Sequence, residues 1–352
     1  MTLAILQRPE SADDFRAFYR AAEFSRDHAG VYSRPFLFPD YRADRQFLPY
    51  IRIPSYAAIL QPLTSLPYPA ARAVWLSASV LAFFACICLT PEHRSRFAMG
   101  MAFSLPVAYA FVLGQDIGFV LLIAIAAARV FAMQREFIAG LIASLVAIKV
   151  SYLPAVGLVF LAKTKRGTAG LALGAGLQLA ASFALAGTRW PIDYLALLRS
   201  PLFDTEPRRM PNVRAIATSL GLPDATYLIA AAILFLLLWF ACQKLTLPDA
   251  LTLALPVALI ASPHCYVYDA VVLIPLFVRV GSLPALIGLS PIGYLLLMTE
   301  RPVNLLAGAL IVVTVTLVSA VEFYRDAAGF PMRITGSDSP LSSGTPISSI
   351  AS

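Results

Sequence analysis

From residue 70 onward the chain alternates between apolar runs of about 15 to 22 residues and short breaks rich in Pro, Gly, Arg and Lys. Roughly 20 apolar residues in a helix cross a hydrocarbon layer about 30 Å thick. The pattern predicts helical passes at 70–89, 97–113, 117–133, 167–187, 227–242, 248–260, 267–280, 283–298 and 303–321. The run at 137–161 is different. It has the length of one crossing, yet Lys149 sits near its middle, with Ser151, Tyr152 and Pro154 just after it. A single crossing would send the basic residues before it (Arg129, Arg135) and after it (Lys163, Lys165, Arg166) to opposite sides, whereas positive-inside bias puts both clusters on the cytoplasmic side. The run therefore reads as a hairpin of two half-helices, each about 12 residues and about 18 Å long, that turns at Lys149 and returns to the side it left. A cation at that depth needs protein or a water-filled cavity around it. The alternative is one long tilted helix with a snorkelling lysine.

With the hairpin counted as two passes, the basic loops near Arg94 and Arg96, Arg135, Lys165, Lys244 and Arg279 all fall on the cytoplasmic side. The outer side then receives residues 1–67, the Gly114 to Asp116 turn, the Lys149 turn, the loop at 188–226, the break at 262–266, and the turn at Glu300 and Arg301. Residues 12–28 set Phe15, Phe18, Tyr19, Ala22 and Phe24 among charged residues, the pattern of an amphipathic helix at an interface. Residues 31–54 read as an aromatic-rich loop, and 51–67 as an apolar stretch, broken by Arg52, Pro54, Pro62 and Pro67, that skims the membrane surface. The Ser-, Gly- and Pro-rich tail after Phe330 has the composition of a disordered segment. The expected fold is thus an all-α polytopic membrane protein with about 10 to 11 transmembrane helices, some short and broken. It divides into an extracytoplasmic region (1–67), a membrane domain (68–322) and a cytoplasmic tail (323–352), in the cell (inner) membrane.

Composition agrees with this: 59% of residues are hydrophobic, 13% are charged and the mean hydropathy is +0.75. The net charge of +7 comes largely from inter-helix loops, so orientation explains it and no nucleic-acid partner is needed. Cys86, Cys88 and Cys242 lie inside apolar runs and only Cys265 is in a loop, which is no framework for disulfides or a metal.

The residues with chemical potential fall on the outer side. Asp13 and Asp14 precede the amphipathic helix, where a carboxylate serves either as a helix cap or as a general base acting on a hydroxyl. Gly114 suits a tight turn, and Gln115 and Asp116 either complete it or bind a hydroxyl-rich ligand. Lys149 requires an anion or a carbonyl cluster, and a phosphate would suit it. Of the outer-loop residues Arg199, Arg208, Arg209, Asn212 and Arg214, Arg214 begins a re-entering helix and is the one to place near a phosphate. Ser262, Pro263, His264, Cys265, Tyr266, Tyr268 and Asp269 join two passes; His264 either caps a helix end or helps to bind phosphate. No Walker loop, Rossmann glycine fingerprint, His-Glu-x-x-His or Asp-x-Asp pair occurs. A transferase built this way needs a leaving group that departs without a divalent metal, a condition met by a lipid monophosphate sugar.

Taken in order, these residues resemble glycosyltransferase family 87, the polyprenol-phosphate-mannose-dependent mannosyltransferase-like enzymes of the GT-C superfamily. The resemblance rests on Asp14-Phe15 with Tyr19-Arg20-Ala21-Ala22, Gly30-Val31-Tyr32, Pro62-Leu63 through Trp75, Gly114-Gln115, Ala139-Gly140 through Ile148-Lys149, Asn212 to Leu220, and Ser262-Pro263-His264 with Tyr268. It implies an inverting hexosyltransferase, mannose being the expected sugar, with Asp14 as base. Lys149, Arg214 and His264 would hold the phosphate of a polyprenyl-phosphate sugar donor, and Gln115, Asp116 and Tyr268 would contact substrate. The partners implied are that donor, a lipid or glycan acceptor and membrane lipids, with no cofactor and no metal. Family members usually carry a helix before the aspartate, a proline after the lysine and a histidine beside the tyrosine. Here no apolar segment long enough to span precedes Asp13, and Val150 and Val267 occupy the other two positions. The chain therefore reads either as lacking an upstream helix or as a degenerate member. A lipid-linked glycan flippase, or an inactive GT-C-like scaffold that binds lipid carriers, remains the alternative. The gathering of polar residues on one face argues against the flippase, which needs gates on both.

Overall fold

The computed structural model describes residues 14–26, 31–32, 50–198 and 206–329. Asp13, Arg199, most of the aromatic loop at 31–54 and the tail from Phe330 lie outside the described residues. No strand occurs among those described.

The amphipathic helix forms as α1, Asp14–Arg26, and buries Phe15, Ala17, Phe18, Tyr19, Ala21 and Ala22 along one side. After it come α2, Pro54–Leu60, and a 3-10 turn at Gln61–Ser65. The first half of the stretch expected to skim the membrane surface packs into the protein. Tyr56, Ala57 and Leu60 are buried, and the Ser55 amide donates to Ser182 Oγ at 3.1 Å, which seats α2 beside a later helix. Tyr68–Cys88 is α3. The pass expected at 97–113 is two helices, α4 (Arg94–Ala102) and α5 (Leu105–Leu113), bent by 65° where Pro106 begins the second. Gly114, in the left-handed conformation, ends α5, and α6 follows at Ile117–Ala132.

The run around Lys149 then forms α7 (Glu136–Ser144), a 3-10 segment (Leu145–Tyr152) and α8 (Leu153–Lys163). By length and hydropathy 136–163 qualifies as one crossing. A straight helix of that length would separate its ends by about 40 Å. Yet Thr164 Oγ1 donates to the Glu136 carboxylate, so the chain has returned to where it began. The reversal centres on Lys149, whose φ of −125° and ψ of 87° leave the helical region. Helix α9, Lys165–Ala186, then runs parallel to α7 in very close contact. A Cβ on Gly140 would lie 1.9 Å from the Gly167 carbonyl oxygen, and one on Gly170 would lie 2.0 Å from that of Phe137.

Helices α10 (Trp190–Leu198) and α11 (Val213–Ser219) lie at the far end of α9, and α12 (Asp224–Lys244) crosses back. Another hairpin follows: α13 (Leu247–Ile260), the break at 261–266, a 3-10 segment (Val267–Leu273) and α14 (Ile274–Val280). Asp249 and Arg279 close its base at 2.7 Å. The last two expected passes are α15 (Leu283–Leu289) with α16 (Ile292–Leu297), broken at Ser290 and Pro291, and α17 (Pro302–Ala327), which continues past the expected start of the tail. The turn pairs α5–α6, α7–α8 and α13–α14 therefore all enter from the end where Arg129, Lys163, Lys244 and Arg279 lie. Their three tips meet inside the protein, beneath α1, α2 and α11.

Candidate active site

At the first tip, Trp75 on α3 donates from Nε1 to the Gly114 carbonyl at 2.8 Å. The next residue, Gln115, donates from Nε2 to the Asp14 carboxylate at the start of α1, while its own buried Oε1 has no partner. Asp116 is fully buried and takes a two-pronged ion pair from Arg52, with Nε to Oδ2 at 2.7 Å and Nη2 to Oδ1 at 2.8 Å. Both oxygens of the residue read from sequence as ligand-binding are thus engaged inside the protein. Burial alone would raise the Asp116 carboxyl, but the Arg52 charge and hydrogen bonds override it and hold the group below the usual carboxylate range.

The second tip carries Lys149, which is 4% exposed and ion-paired with Asp269 of the third tip. A side chain of the same protein thus supplies an anion at that depth. The Tyr268 ring lies 5.4 Å from the ammonium and that of Tyr152 lies 6.0 Å from it. The Tyr152 hydroxyl is buried without a partner. The other oxygen of Asp269 accepts the Tyr266 amide at 2.9 Å, so one carboxylate caps its own segment and binds the neighbouring hairpin.

The third tip is held from outside by α11. Asn212 caps that helix by accepting the Ala215 amide and donates to the Ser262 carbonyl at 2.8 Å. Arg214 donates from Nη1 to the Pro263 carbonyl at 2.6 Å. His264 lies edge-on to Tyr266, with ring centroids 5.0 Å apart. Its ring is pushed down to about 3 by desolvation first, and then by the charges of Lys149, Arg52 and Arg214. It is therefore neutral at ordinary pH. Asp14, Gln115, Lys149, Arg214, His264 and Tyr268, read from widely separated segments, come together around these tips. Among the described residues no group of three or more His, Cys, Asp and Glu side chains could hold a metal ion.

The model of glycosyltransferase family 87 matches residues 53–263, more than half of the chain. The chain belongs to glycosyltransferase family 87. With its long apolar helices, it is a multi-pass membrane glycosyltransferase. No curated protein and no solved structure matches it. The family 87 match includes Gln115, Asp116, Lys149 and Arg214, starts one residue after Arg52, and leaves Asp14, His264, Tyr268 and Asp269 outside.

Two residues of this cluster have no role in the sequence reading. Arg52 stands there only as an interruption of an apolar stretch, although a cation in such a stretch asks for a partner as Lys149 does. Asp269 is the one acidic residue between Asp249 and Glu300, which marks it as the natural counter-ion for a buried lysine.

Proposed function

We propose that this membrane glycosyltransferase transfers a hexosyl residue, mannose being the expected sugar, from a polyprenyl-phosphate donor to a lipid or glycan acceptor at the extracytoplasmic face of the cell membrane, inside a GT-C-type fold. Asp14 is the base. As the acceptor oxygen attacks the anomeric carbon, its proton passes to the Asp14 carboxylate. The bond from that carbon to the phosphate oxygen breaks with inversion, and polyprenyl phosphate leaves. Arg214 and His264 at the rim and Lys149 below it face the leaving phosphate, with His264 acting as a neutral hydrogen-bonding group. Gln115 and Tyr268 contact the reacting sugars.

The observation that carries this reading is the hydrogen bond from Gln115 to Asp14, which joins the outer helix α1 to a hairpin tip 101 residues further along the chain. A carboxylate that only caps α1 has no need of a partner on another element. Asp14→Asn should abolish transfer from a polyprenyl-phosphate mannose donor in membranes at unchanged protein level, and undiminished transfer would remove Asp14 as the base. Lys149→Ala should chiefly weaken apparent donor affinity. A loss confined to the acceptor's affinity would contradict that assignment.

A further inference from the structure

Arg52 occupies an unusual position relative to the Asp14–Gln115 pair. Its guanidinium reaches Asp116, the residue next to Gln115, through two hydrogen bonds of 2.7 and 2.8 Å. The same guanidinium lies 5.3 Å above the ring of Phe18, one helical turn after Asp14 on α1. Asp14 and Phe18 are i and i+4 and so share a helix face. A closed circuit results, running from Asp14 along α1 to Phe18, across Arg52 to Asp116, and through Gln115 back to Asp14. Trp75 braces it, with its ring 5.3 Å from that of Phe15 and 6.0 Å from that of Phe18 while it holds the Gly114 carbonyl.

We infer that Arg52 and Asp116 are positioning residues: one buried ion pair fixes helix α1 and the first hairpin tip relative to each other, and so sets the direction in which Gln115 presents the Asp14 carboxylate. The inference rests on the reading of Asp14 as the base. A lysine cannot do the same work. An ammonium is a point donor, whereas the guanidinium spans both oxygens of Asp116 and presents a flat face to Phe18. Neither residue meets the reacting sugar, so their effect falls on the chemical step and not on substrate capture. Misplacing a reacting group by about 1 Å costs on the order of a hundredfold in rate.

The test uses the full-length protein in membranes, with mannosyl phosphoryl polyprenol as donor. Arg52→Lys should lower kcat about ten- to a hundredfold with the donor KM within about twofold. Gln115→Leu should lower kcat at least as much, and the double variant should be no worse than Gln115→Leu alone, because Arg52 acts through Gln115. Losses that multiply, or a loss seen only in KM, would overturn the inference. So would an Arg52→Lys variant with wild-type kcat while Asp14→Asn is inactive. A second measurement is independent of turnover: a short bis-thiol reagent joining Asp14→Cys to Gln115→Cys should give a lower yield when Arg52→Met is added, and an unchanged yield would also overturn it. If Asp14→Asn retains transfer while Arg52→Met lowers that yield, the reading of Asp14 as base fails and the clamp stands.

Discussion

Lys149 and Asp269 lie 120 residues apart on different hairpins, and neither side chain is more than 5% exposed. Removing one partner of a buried ion pair strands the other charge and costs about 3–5 kcal/mol, whereas replacing both with apolar groups is often neutral. Lys149→Met should therefore destabilise the detergent-solubilised protein by about that amount. Adding Asp269→Leu should recover most of it, offset by loss of the Tyr266 cap. Equal unfolding midpoints for the single and double variants would mean that the two residues do not depend on each other. His264 makes a separate prediction. Its folded-state value near 3 lies below the ordinary 6.5, so between those values the unfolded chain takes up a proton that the folded site refuses. Stability should fall as pH drops through that window, by at most about 1.4 kcal/mol per pH unit. Unfolding midpoints at pH 7, 6 and 5 check this, and His264→Asn should flatten the slope. An unaltered slope would mean that the ring takes up its proton equally readily in the folded and unfolded chain.

The contact between α7 and α9 depends on glycine at positions where a side chain would have to occupy backbone. At Gly140 and Gly170 an added Cβ meets a carbonyl oxygen at about 2 Å, while at Gly157 and Gly176 nothing lies within 4 Å. Gly140→Ala should therefore cost about 1–3 kcal/mol of stability and Gly176→Ala close to nothing, as read from thermal unfolding in detergent. A loss at Gly176 equal to that at Gly140 would point to glycine flexibility and not to close packing. Elements of this kind differ in how far the sequence reveals them. Helix α1 is legible because its aromatic residues recur at helical spacing among charges, and the α7–α8 hairpin because a lysine at mid-run and basic residues on both flanks favour a return over a single tilted crossing. The bend before α5 and the break before α16 are not. Pro106 and Pro291 sit at or next to the first position of a helix, and within a continuous apolar run such a proline also suits an uninterrupted pass. In the candidate site, Asp14 is visible as a carboxylate ahead of an amphipathic helix, and Gln115, Lys149 and His264 as polar residues at the ends or depths of apolar runs. The pairings Arg52–Asp116 and Lys149–Asp269 depend on the register between hairpins, which local pattern does not record.

At the scale of the whole molecule, three short hairpins reach inward from one end, and a cap of outer helices closes over their tips. Hairpins suit this purpose because a chain that enters and turns back leaves a tip inside the protein, whereas a straight helix carries its polar residues past that point. Its irregular backbone is then tolerable only because protein surrounds it. The arrangement requires 135 and 166 to lie on the same side of the membrane, although a 28-residue run, long enough and apolar enough on average for one crossing, separates Arg135 from Thr164. It also requires the outer loops to lie opposite them, since α9 crosses in 22 residues, about 33 Å. Arg135, Arg166, Thr188 and Leu222 are all exposed, so each can be replaced singly by cysteine in a background from which Cys86, Cys88, Cys242 and Cys265 have been removed. A membrane-impermeant maleimide applied to sealed vesicles of defined orientation should label positions 135 and 166 from the cytoplasmic side and positions 188 and 222 from the other. Labelling of 135 and 166 from opposite sides would make 136–163 a true crossing, send Lys149 past the other tips, and dissolve the site that depends on their meeting.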